Sequence, residues 1–527
     1  MALLVADLKW AEEGDPVARI ARHLKIGVGA VLAFEVVKKS LDARHRPPSW
    51  RVVLRLEVAD EAGVLRRRIP SVRLWSPRDE GRYGREDGLV RPPARSGSGR
   101  PIVVGMGPAG MFAALYLAEA GLHPLVLERG APVDTRVASV NAWWRGKAPL
   151  DAEDNLVIGE GGAGTFSDGK VYTRRRDGQL GYIFRRLVEF GADPELLQDS
   201  LAHLGTDKIR AILPPFRERL RALGAEVRFH ARVVDLKVEQ GRCTGVVLDD
   251  GTEESASAVV VAAGHSARDT VKMLIEAGAA AEPRGIAVGA RIEHPQALID
   301  RGRYRTEDRG DLPPATYRLT HHPATGPRGH TFCMCPGGMV VPASNHPGRV
   351  VVNGMSFAAR RAYWANSAVI VDVPVSAYGA TDPMAGFRWQ DAIEVRAFEL
   401  GGGTWAAPAQ RVPDFLAGRR SDDLPRTSFP MGIAAVDLHQ LFPPFLGQAL
   451  AEVIRVFDRQ IPGFAGPDAL LLAPETRTTS PVVFTRTSGQ ESTTLRGLFP
   501  AGEGAGYAGG IISSALDGLR AAISIAG

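Results

Sequence analysis

The spacing of apolar residues changes near residue 100, and the stretch before it has the pattern of a small mixed unit. Short runs of alternating apolar and polar residues predict β-strands, and Asp15-Pro16 opens a helix with proline at its first position. The polar run from Lys39 to Arg44 predicts a turn. The predicted elements are strands from Leu3 to Trp10, from Ala30 to Val37 and from Trp50 to Val58, and a helix ending at Leu24. Residues 1–95 are therefore expected to form a small α+β domain, whose simplest role is packing or docking.

A linker and then a new pattern follow this first unit. Residues 80–100 are rich in glycine, arginine, proline and serine, which is typical of linkers. The apolar run from Pro101 to Val104 then leads into G-x-G-x-x-G, from Gly105 to Gly110, and an apolar helical run extends from Met111 to Ala120. A further apolar run ends at Glu128. Strand, glycine turn, helix and strand in this order predict the first unit of a dinucleotide-binding fold.

Each glycine of this turn has its own steric role. Gly105 allows the sharp turn, Gly107 lets the backbone approach a pyrophosphate, and Gly110 lets the helix pack closely on the strand. Pro108 and Ala109 open the helix, and the free N–H groups of its first turn are expected to point at the phosphates.

Three charged residues after the second strand are candidates for the sugar and phosphate groups of the nucleotide. Glu128 lies where a carboxylate can accept hydrogen bonds from a ribose diol. Arg129 and Arg136 can each pair with a phosphate or with the adenosine ribose, and a surface position is the alternative for both. These residues do not distinguish NAD from FAD.

A second glycine-rich stretch runs from Gly159 to Lys170. Its glycine content argues against a regular helix or a central strand and leaves backbone amides exposed. Such a loop suits close approach to a flat ring and a pyrophosphate, whereas a merely flexible loop is the alternative. Lys170 can donate to that ring or to a substrate anion. The other candidate contacts are Gly161, Gly162, Ala163, Gly164, Thr165, Phe166, Ser167 and Gly169.

The next part of the chain changes from helix to strand. Residues 180–224 are predicted to be helical, with breaks at Pro194 and at Pro214-Pro215. Three strand-like runs between Glu226 and Leu248 are interpreted as a meander, and a buried strand then ends at Gly264. A meander followed by such a strand is typical of FAD-binding folds. The expected nucleotide contacts in this part are Val233, Ala263 and Gly264.

The last stretch favours FAD over NAD. A strand from Gly497 to Ala501 leads into a third glycine-rich turn, from Gly502 to Gly510, and an apolar helix extends from Ile511 to about Ile525. Glu503 is expected to accept a hydrogen bond from a ribityl hydroxyl. The positive end of the helix is expected to face the N1–C2=O edge of a flavin. The predicted contacts here are Gly502, Glu503, Gly509, Gly510, Ile511 and Ile512.

Residues 266–490 form a long insertion that we interpret as the substrate domain. Its Cys333-Met334-Cys335 run offers a redox or substrate-contacting thiol, with buried structural cysteines as the alternative. Two cysteines do not complete a zinc site, and we predict no metal site. Just before the insertion, His265 is a candidate acid or base. The run from Glu475 to Pro481 suits either a polar substrate or a hydrogen-bonded crossover between domains.

Length and composition indicate the number of domains and the cellular compartment. The chain has 527 residues, which predicts two or three domains, and its three cysteines favour a reducing compartment. We expect a cytoplasmic protein, because no signal peptide and no membrane-spanning run is evident. The formal net charge is +5, and Arg66–Arg68 and Arg174–Arg176 form basic clusters. We interpret these as solvated faces or phosphate contacts, with RNA binding as the alternative.

These motifs together resemble a known family, the bacterial uncharacterised FAD-dependent dehydrogenases that carry a small N-terminal domain. The resemblance extends over nearly the whole chain, although Thr479 stands where serine is expected. It implies a glutathione-reductase-like FAD fold with one dinucleotide site, and it supplies no substrate. The matching stretches are Lys39–Arg44, Gly105–Gly110, Glu160–Lys170, Phe332–Gly338, Val352–Ser356, Glu475–Pro481 and Gly502–Gly510.

The sequence therefore predicts an α/β FAD/NAD(P)-binding fold of three layers, namely a parallel sheet, a β-meander and helices. An inserted α+β substrate domain and a small ferredoxin-like N-terminal domain complete it. The expected domain boundaries are 1–95, 96–265 with 491–527, and 266–490.

The expected function is hydride transfer between a small molecule and flavin N5, with NAD(P)H as a possible transient reductant. We expect neither a membrane nor a nucleic acid as partner. The alternatives are a flavin monooxygenase and an RNA-binding or RNA-modifying flavoprotein. The catalytic residue is not identified, and its candidates are Lys170, His265, Cys333 and Cys335.

Overall fold

The protein is described by a computed structural model, which covers residues 2–10, 14–43, 48–79, 99–171, 177–198 and 203–527. The chain divides into two compact units. The smaller unit comprises Met1–Arg91 and Val171–His203, and the larger comprises Pro92–Lys170 and Leu204–Gly527. The three predicted domain boundaries stay a prediction. The Arg174–Arg176 cluster lies outside the described residues.

The smaller unit begins with the order strand, helix, strand, strand, helix, strand. Its antiparallel sheet has the spatial order second, third, first and fourth strand, which is the ferredoxin-like arrangement predicted from the sequence. The strands are Leu3–Trp10, Val31–Asp42, Ser49–Val58 and Val72–Leu74, and the helices are Pro16–Leu24, Glu61–Arg66 and Leu180–Glu189, with short 3-10 helices at Val28–Ala30 and Pro194–Leu197.

Local chemistry explains the first helix of this unit. The Asp15 side chain accepts a hydrogen bond from the N–H of Val17 at 2.8 Å and thereby caps the helix, and Pro16 occupies its first turn. Ile20 and Leu24 are buried against the sheet in one apolar core. The helix is held by its cap and by this apolar stripe.

The predicted turn over Lys39 to Arg44 is wrong in its described part. Residues 39–42 continue the strand Val31–Asp42, because the neighbouring strand begins at Ser49 and supplies a partner for each of them, as far as Asp42 opposite Ser49. Pairing along a long hairpin has overridden the local preference of a polar run. Arg44 itself lies outside the described residues.

The larger unit contains the predicted dinucleotide-binding layers. Its parallel sheet has, in spatial order, the strands Leu498–Pro500, Val259–Val261, Ile102–Val104, Leu125–Leu127 and Glu226–Arg228. The antiparallel meander has the strands Glu253–Ser255, Arg242–Leu248 and Val233–Glu239. One detail of the predicted meander is wrong, because Glu226–Arg228 pairs in parallel with Leu125–Leu127 and so belongs to the main sheet.

Nine helices pack around the sheets of this unit in its described part. They are Pro108–Glu119, Val133–Trp144, Thr206–Ala222, Arg268–Glu276, Gln296–Tyr304, Ala385–Leu400, Val412–Ala417, Pro444–Gln460 and Ile511–Ala526. Short 3-10 helices lie at Gly162–Phe166, Val375–Ala377 and Leu438–Gln440. Every helix in the described ranges is too short or too polar to cross a bilayer.

The break predicted at Pro214-Pro215 is also wrong. The helix Thr206–Ala222 passes through both prolines. Proline removes backbone donors from a helix, and here the apolar face compensates, since Ile212, Leu213 and Phe216 around the prolines are all buried. The break predicted at Pro194 is confirmed, because a separate 3-10 helix begins there.

The inserted region is built on a sheet of eight strands. In spatial order these are Thr320–His321, Gly329–Pro342, Trp364–Val373, Ile286–Pro295, Leu470–Glu475, Ala407–Arg411 and Ile433–Ala435, and Val352–Ser356 pairs with Gly329–Pro342 off this path. A separate pair joins Ala281–Pro283 to Val482–Phe484. Sheet and helices together form the predicted α+β insertion.

Candidate functional site

The first glycine-rich turn has the geometry that the sequence predicts. Gly105 has a φ of 96°, and a Cβ atom there would lie 2.6 Å from the carbonyl oxygen of Ala262. A Cβ atom on Gly110 would overlap the carbonyl oxygen of Gly105. Gly107 caps the helix Pro108–Glu119 and brings no side-chain oxygen to its free N–H groups. These amides therefore remain available to an anionic ligand.

The second glycine-rich turn lies directly against the first. The N–H of Gly161 donates to the carbonyl oxygen of Met106 at 2.8 Å, and a Cβ atom on Gly162 would lie 3.3 Å from the Cα of Gly107. Gly164 faces the side chain of Ile511, whose Cγ1 would lie 3.4 Å from a Cβ atom at that position. The second turn therefore touches both the first turn and the start of the C-terminal helix.

The third turn completes the same region. The N–H of Gly502 donates to Asp517 at 2.7 Å, and Asp517 is held in turn by Arg486 at 2.9 Å. A Cβ atom on Gly504 would lie 2.6 Å from the carbonyl oxygen of Gly264. Gly510 caps the helix Ile511–Ala526 without a side-chain hydrogen bond, so the N-terminal amides of this helix are also free of a cap.

The three turns form a surface that fits a dinucleotide. Glycine is required where backbone meets backbone, at Gly105, Gly110 and Gly504, because a side chain would overlap its neighbours there. Gly107 differs, because a Cβ atom there would approach protein no closer than 3.9 Å. Space that the protein does not fill is what a pyrophosphate beside Gly107 needs. Two uncapped helix N-termini supply the positive potential.

The predicted loop contacts also hold the loop itself. Thr165 donates to the carbonyl oxygen of Glu160 at 2.8 Å, and Ser167 donates to that of Gly164 at 2.8 Å. Phe166 is buried, and a Cβ atom on Gly169 would lie 2.7 Å from the nitrogen of Gly205. The turn is therefore an ordered structure, and contacts of Ala163 and Ile512 to a cofactor stay predictions.

Glu128 is buried at the first turn. Its carboxylate accepts from the N–H of Met106 at 2.6 Å and from the N–H of Gly130 at 2.9 Å. Each carboxylate oxygen can accept more than one hydrogen bond, so acceptance from a ribose hydroxyl is compatible with these contacts. That role stays a prediction.

The two arginines after Glu128 are engaged by the protein. Arg129 pairs with Glu153 at 2.5 Å and with Asp269 at 2.9 Å. Arg136 is fully buried and donates to the backbone carbonyl oxygens of three residues, and burial lowers its pKa to about 10. These three residues are Asn155, Leu156 and Glu160. Arg136 thus braces the chain that leads into the second turn.

The adenine-side candidates lie at the edge of the parallel sheet and its meander. Val233 begins a meander strand and is buried. Ala263 and Gly264 follow the strand Val259–Val261, and Gly264 contacts Gly504 of the third turn. Gly264 is therefore brought to the third turn, and its cofactor contact stays a prediction.

His265 and Glu503 are brought together, a pairing that the sequence did not predict. They follow the neighbouring parallel strands Val259–Val261 and Leu498–Pro500, whose carboxyl ends share one edge of the sheet. The Nδ1 atom of His265 lies 3.6 Å from a carboxylate oxygen of Glu503. The Nε2 atom is buried and has no hydrogen-bond partner among the described residues.

Lys170 is held by protein groups. Its ammonium lies 3.0 Å from Asp168 and donates to the carbonyl oxygen of Met334, while Asp168 accepts from the hydroxyl of Ser356. Burial is the largest single influence and alone would lower the pKa of Lys170, but the charge and hydrogen bond of Asp168, together with the neighbouring cysteines, raise the pKa above its ordinary value. Lys170 therefore stays charged at neutral pH and is a poor proton donor.

Cys335 is buried and Cys333 is half-buried, and both contact the guanidinium of Arg291 in a polar cluster. Burial raises the pKa of Cys335 to about 12 and also raises that of Cys333, so both are thiols at neutral pH. Beside them the fully buried Arg291 pairs with Glu475 at 2.7 Å and donates to Asn366 at 2.7 Å. The raised pKa values favour a structural role for the two cysteines over a reactive one.

Sequence reasoning missed this cluster around Arg291. The one available signal was an arginine in the middle of the largely apolar run Ile286–Pro295, which forms a buried strand. A charged residue in such a strand needs a partner, and Glu475 lies 184 residues further along the chain. The partner could not be read from spacing.

The charged residues of the run from Glu475 to Pro481 form ion pairs with buried residues elsewhere in the larger unit. Arg477 pairs with the buried Glu394 at 2.7 Å, and Arg268 contacts the same carboxylate at 2.8 Å. Burial alone would raise the pKa of Glu394, but the charges of Arg477 and Arg268 lower it to about 2. These contacts favour the crossover interpretation of this run.

Comparisons with known proteins identify the family. The description "FAD-dependent protein, C-terminal domain-like" matches residues 285–478, and "FAD dependent oxidoreductase" matches residues 208–312. An uncharacterized protein of Clostridium beijerinckii is 37% identical over 508 residues, which are 96% of this chain and 94% of that protein. The chain belongs to this family of FAD-dependent proteins. The family predicted from the sequence motifs is thereby confirmed, and the chain is an FAD-dependent oxidoreductase.

Solved structures with partial similarity include an enzyme described as a dehydrogenase and a protein in complex with FAD. A 3-ketosteroid dehydrogenase from Rhodococcus jostii is 15% identical, with a TM-score of 0.34, covering 83% of this chain and 100% of that one. CtdE in complex with FAD is 11% identical, with a TM-score of 0.31, covering 81% of this chain and 84% of that one. At these TM-scores, neither similarity supports a conclusion about the function of this protein.

Proposed function

We propose that this family member is an FAD-dependent dehydrogenase that transfers a hydride between a small organic substrate and flavin N5. The observation that supports this is the convergence of three glycine-rich turns and two uncapped helix N-termini in one region. When bound, FAD supplies the redox chemistry, and the protein supplies position and electrostatics.

The turns have distinct tasks in this proposal. The amides at the start of Pro108–Glu119 bind the pyrophosphate, and Gly107 gives it room to approach. The amides at the start of Ile511–Ala526 face the pyrimidine edge of the ring and stabilise negative charge there. Glu503 accepts a hydrogen bond from the ribityl chain.

Proton handling is assigned to His265. The carboxylate of Glu503 stands beside Nδ1, which favours a proton on that nitrogen and leaves Nε2 as an acceptor. Nε2 has no hydrogen-bond partner among the described residues, so its lone pair is free to take up the proton that is released when the substrate is oxidised.

The partners follow from the same proposal. The substrate is a small molecule in a cytoplasmic setting, with neither a nucleic acid nor a membrane as partner. NAD(P)H acts at most as a transient reductant, because the two further matches to G-x-G-x-x-G, Gly159–Gly164 and Gly504–Gly509, belong to the second and third turns of the same region.

Spectroscopy tests the proposal. The purified protein is expected to show oxidised flavin bands that persist under anaerobic NADH or NADPH and bleach with the protein's own substrate. Rapid bleaching by one nicotinamide would instead indicate a reductase or a monooxygenase, and substrate-dependent incorporation of oxygen would identify the latter. Absence of flavin, even after addition of FAD, would overturn the proposal.

A further inference from the structure

A cavity of about 950 Å³ lies in the larger unit, and none of its lining residues belongs to the three glycine-rich turns. Its volume is near the upper end of the roughly 300–1,000 Å³ of small-molecule sites. Its walls are formed in part by the strands Ile286–Pro295, Gly329–Pro342 and Trp364–Val373 of the eight-stranded sheet. Neither the sequence motifs nor the family match assigns a role to this cavity.

The wall is apolar over much of its extent. Phe332 and Ile370 pack together in a small apolar cluster, and both line the cavity with Val373 and Phe445. Phe445 is 39% exposed, whereas phenylalanine side chains are usually buried. A ligand with an apolar body would cover this surface.

The charges of the lining are unequal. Arg328 and Asp372 both line the cavity and pair with one another at 3.1 Å, so their charges compensate. Arg284 lines it too, and no carboxylate of the described residues pairs with its guanidinium. The lining therefore has one cation in excess, and this favours an anionic ligand group.

Arg284 is positioned by its surroundings. Its N–H donates to the carbonyl oxygen of Pro481 at 2.8 Å, its carbonyl oxygen accepts from the hydroxyl of Tyr378, and its guanidinium donates to the carbonyl oxygen of Gly506. Since Gly506 belongs to the third turn, Arg284 stands between the cavity and the proposed flavin region. The side chain is solvent-exposed, so an incoming carboxylate would displace water from it.

Two further polar atoms of the lining are buried and lack partners within the described part of the chain. They are the hydroxyl of Thr479 and the Nδ1 of His330, which stays 3.9 Å from Asp372. Each of these atoms has less than 1 Å² of accessible surface, so they lie behind the wall and are not contacts for a ligand in the cavity.

We propose that this cavity binds the substrate and that the substrate is a carboxylic acid with an apolar body, held by its carboxylate on Arg284. This inference deepens the proposed function and rests on it, because only an enzyme that turns the ligand over makes that ligand a substrate. The binding claim itself does not need turnover.

Calorimetry on the FAD-loaded protein tests the proposal with three fixed probes, 3-phenylpropanoate, decanoate and cholate, each against its own primary amide. At least one carboxylate should bind about tenfold more tightly than its amide. Arg284→Met should remove that difference, and Arg284→Lys should retain part of it. The matched control is Arg301→Met, because Arg301 is exposed, pairs with Glu307 at 3.6 Å and does not line the cavity.

Two results would overturn the inference: no probe binds more tightly than its amide, or Arg284→Met binds the carboxylate as the parent does. Equal flavin content and thermal midpoint in all variants show that the fold is intact. A protein that takes up no flavin would defeat the proposed function, and the same titrations on the flavin-free protein would then report on the cavity alone. A flavoprotein whose cavity does not discriminate would defeat only the inference.

Discussion

The dinucleotide region and the inserted region use different chemistry to build their interiors. Around the three turns, backbone lies on backbone, and glycine makes the contacts possible at Gly105, Gly110 and Gly504. In the insertion, buried charged side chains meet across long stretches of chain, as Arg291 does with Glu475 and Arg477 with Glu394. A cofactor shared by many proteins is recognised by backbone, whereas a particular substrate needs side chains that differ between proteins.

The largest effect should come from breaking a buried ion pair of the insertion. Arg291→Met leaves Glu475 buried without its cation and should lower the free energy of unfolding by about 3–5 kcal/mol. Urea denaturation measures this. The double variant Arg291→Met with Glu475→Met should recover part of the loss. A single variant as stable as the parent would show that the pair is not what holds the insertion.

Acid should weaken the same region. The pKa of Glu394 is lowered from 4.5 to about 2 in the folded protein, so its contribution is fully present above pH 4.5 and is lost as the pH falls toward 2. The contribution is roughly 3 kcal/mol. Glu394→Gln should flatten the pH dependence of the unfolding free energy in this window. An unchanged slope would contradict the assignment.

Two glycine substitutions should separate folding from cofactor binding. Gly110→Ala overlaps the carbonyl oxygen of Gly105 and should destabilise the apoprotein. Gly107→Ala has room in the protein and should leave apoprotein stability unchanged, yet weaken FAD binding about tenfold or more by obstructing the pyrophosphate. Thermal unfolding and FAD titration of both variants measure this. If Gly107→Ala binds FAD normally, the pyrophosphate lies elsewhere.

The smallest effect is expected at Arg129. Its partners Glu153 and Asp269 are 36% and 42% exposed, so Arg129→Met should cost less than about 1 kcal/mol of stability. FAD affinity should stay at the parent value, because these carboxylates occupy the guanidinium. A tenfold loss of FAD affinity would show instead that Arg129 binds a phosphate, as the sequence alone suggested.

The sequence predicted what local chemistry determines. G-x-G-x-x-G after an apolar strand leaves few alternatives, so the turn from Gly105 to Gly110 was identified correctly. Where distant parts of the chain decide, local signals failed: residues 39–42 are strand because a partner strand reaches them, and Pro214-Pro215 stays helical because the helix face is buried. The contact between His265 and Glu503 needed the strand order, which no spacing supplies.

The chain leaves the larger unit and re-enters it at two segments that are hydrogen-bonded to one another. After Lys170 the chain contributes Val171–His203 to the smaller unit and returns at Leu204. The carbonyl oxygens of Asp168 and Gly169 accept from the N–H groups of Gly205 and Leu204, at 3.2 and 2.9 Å, so the exit and the return are already joined. The segment is therefore inserted into the larger unit at a hydrogen-bonded junction. Because the two ends of the segment are already joined there, residues added within the segment should change the loop-closure entropy of the larger unit very little.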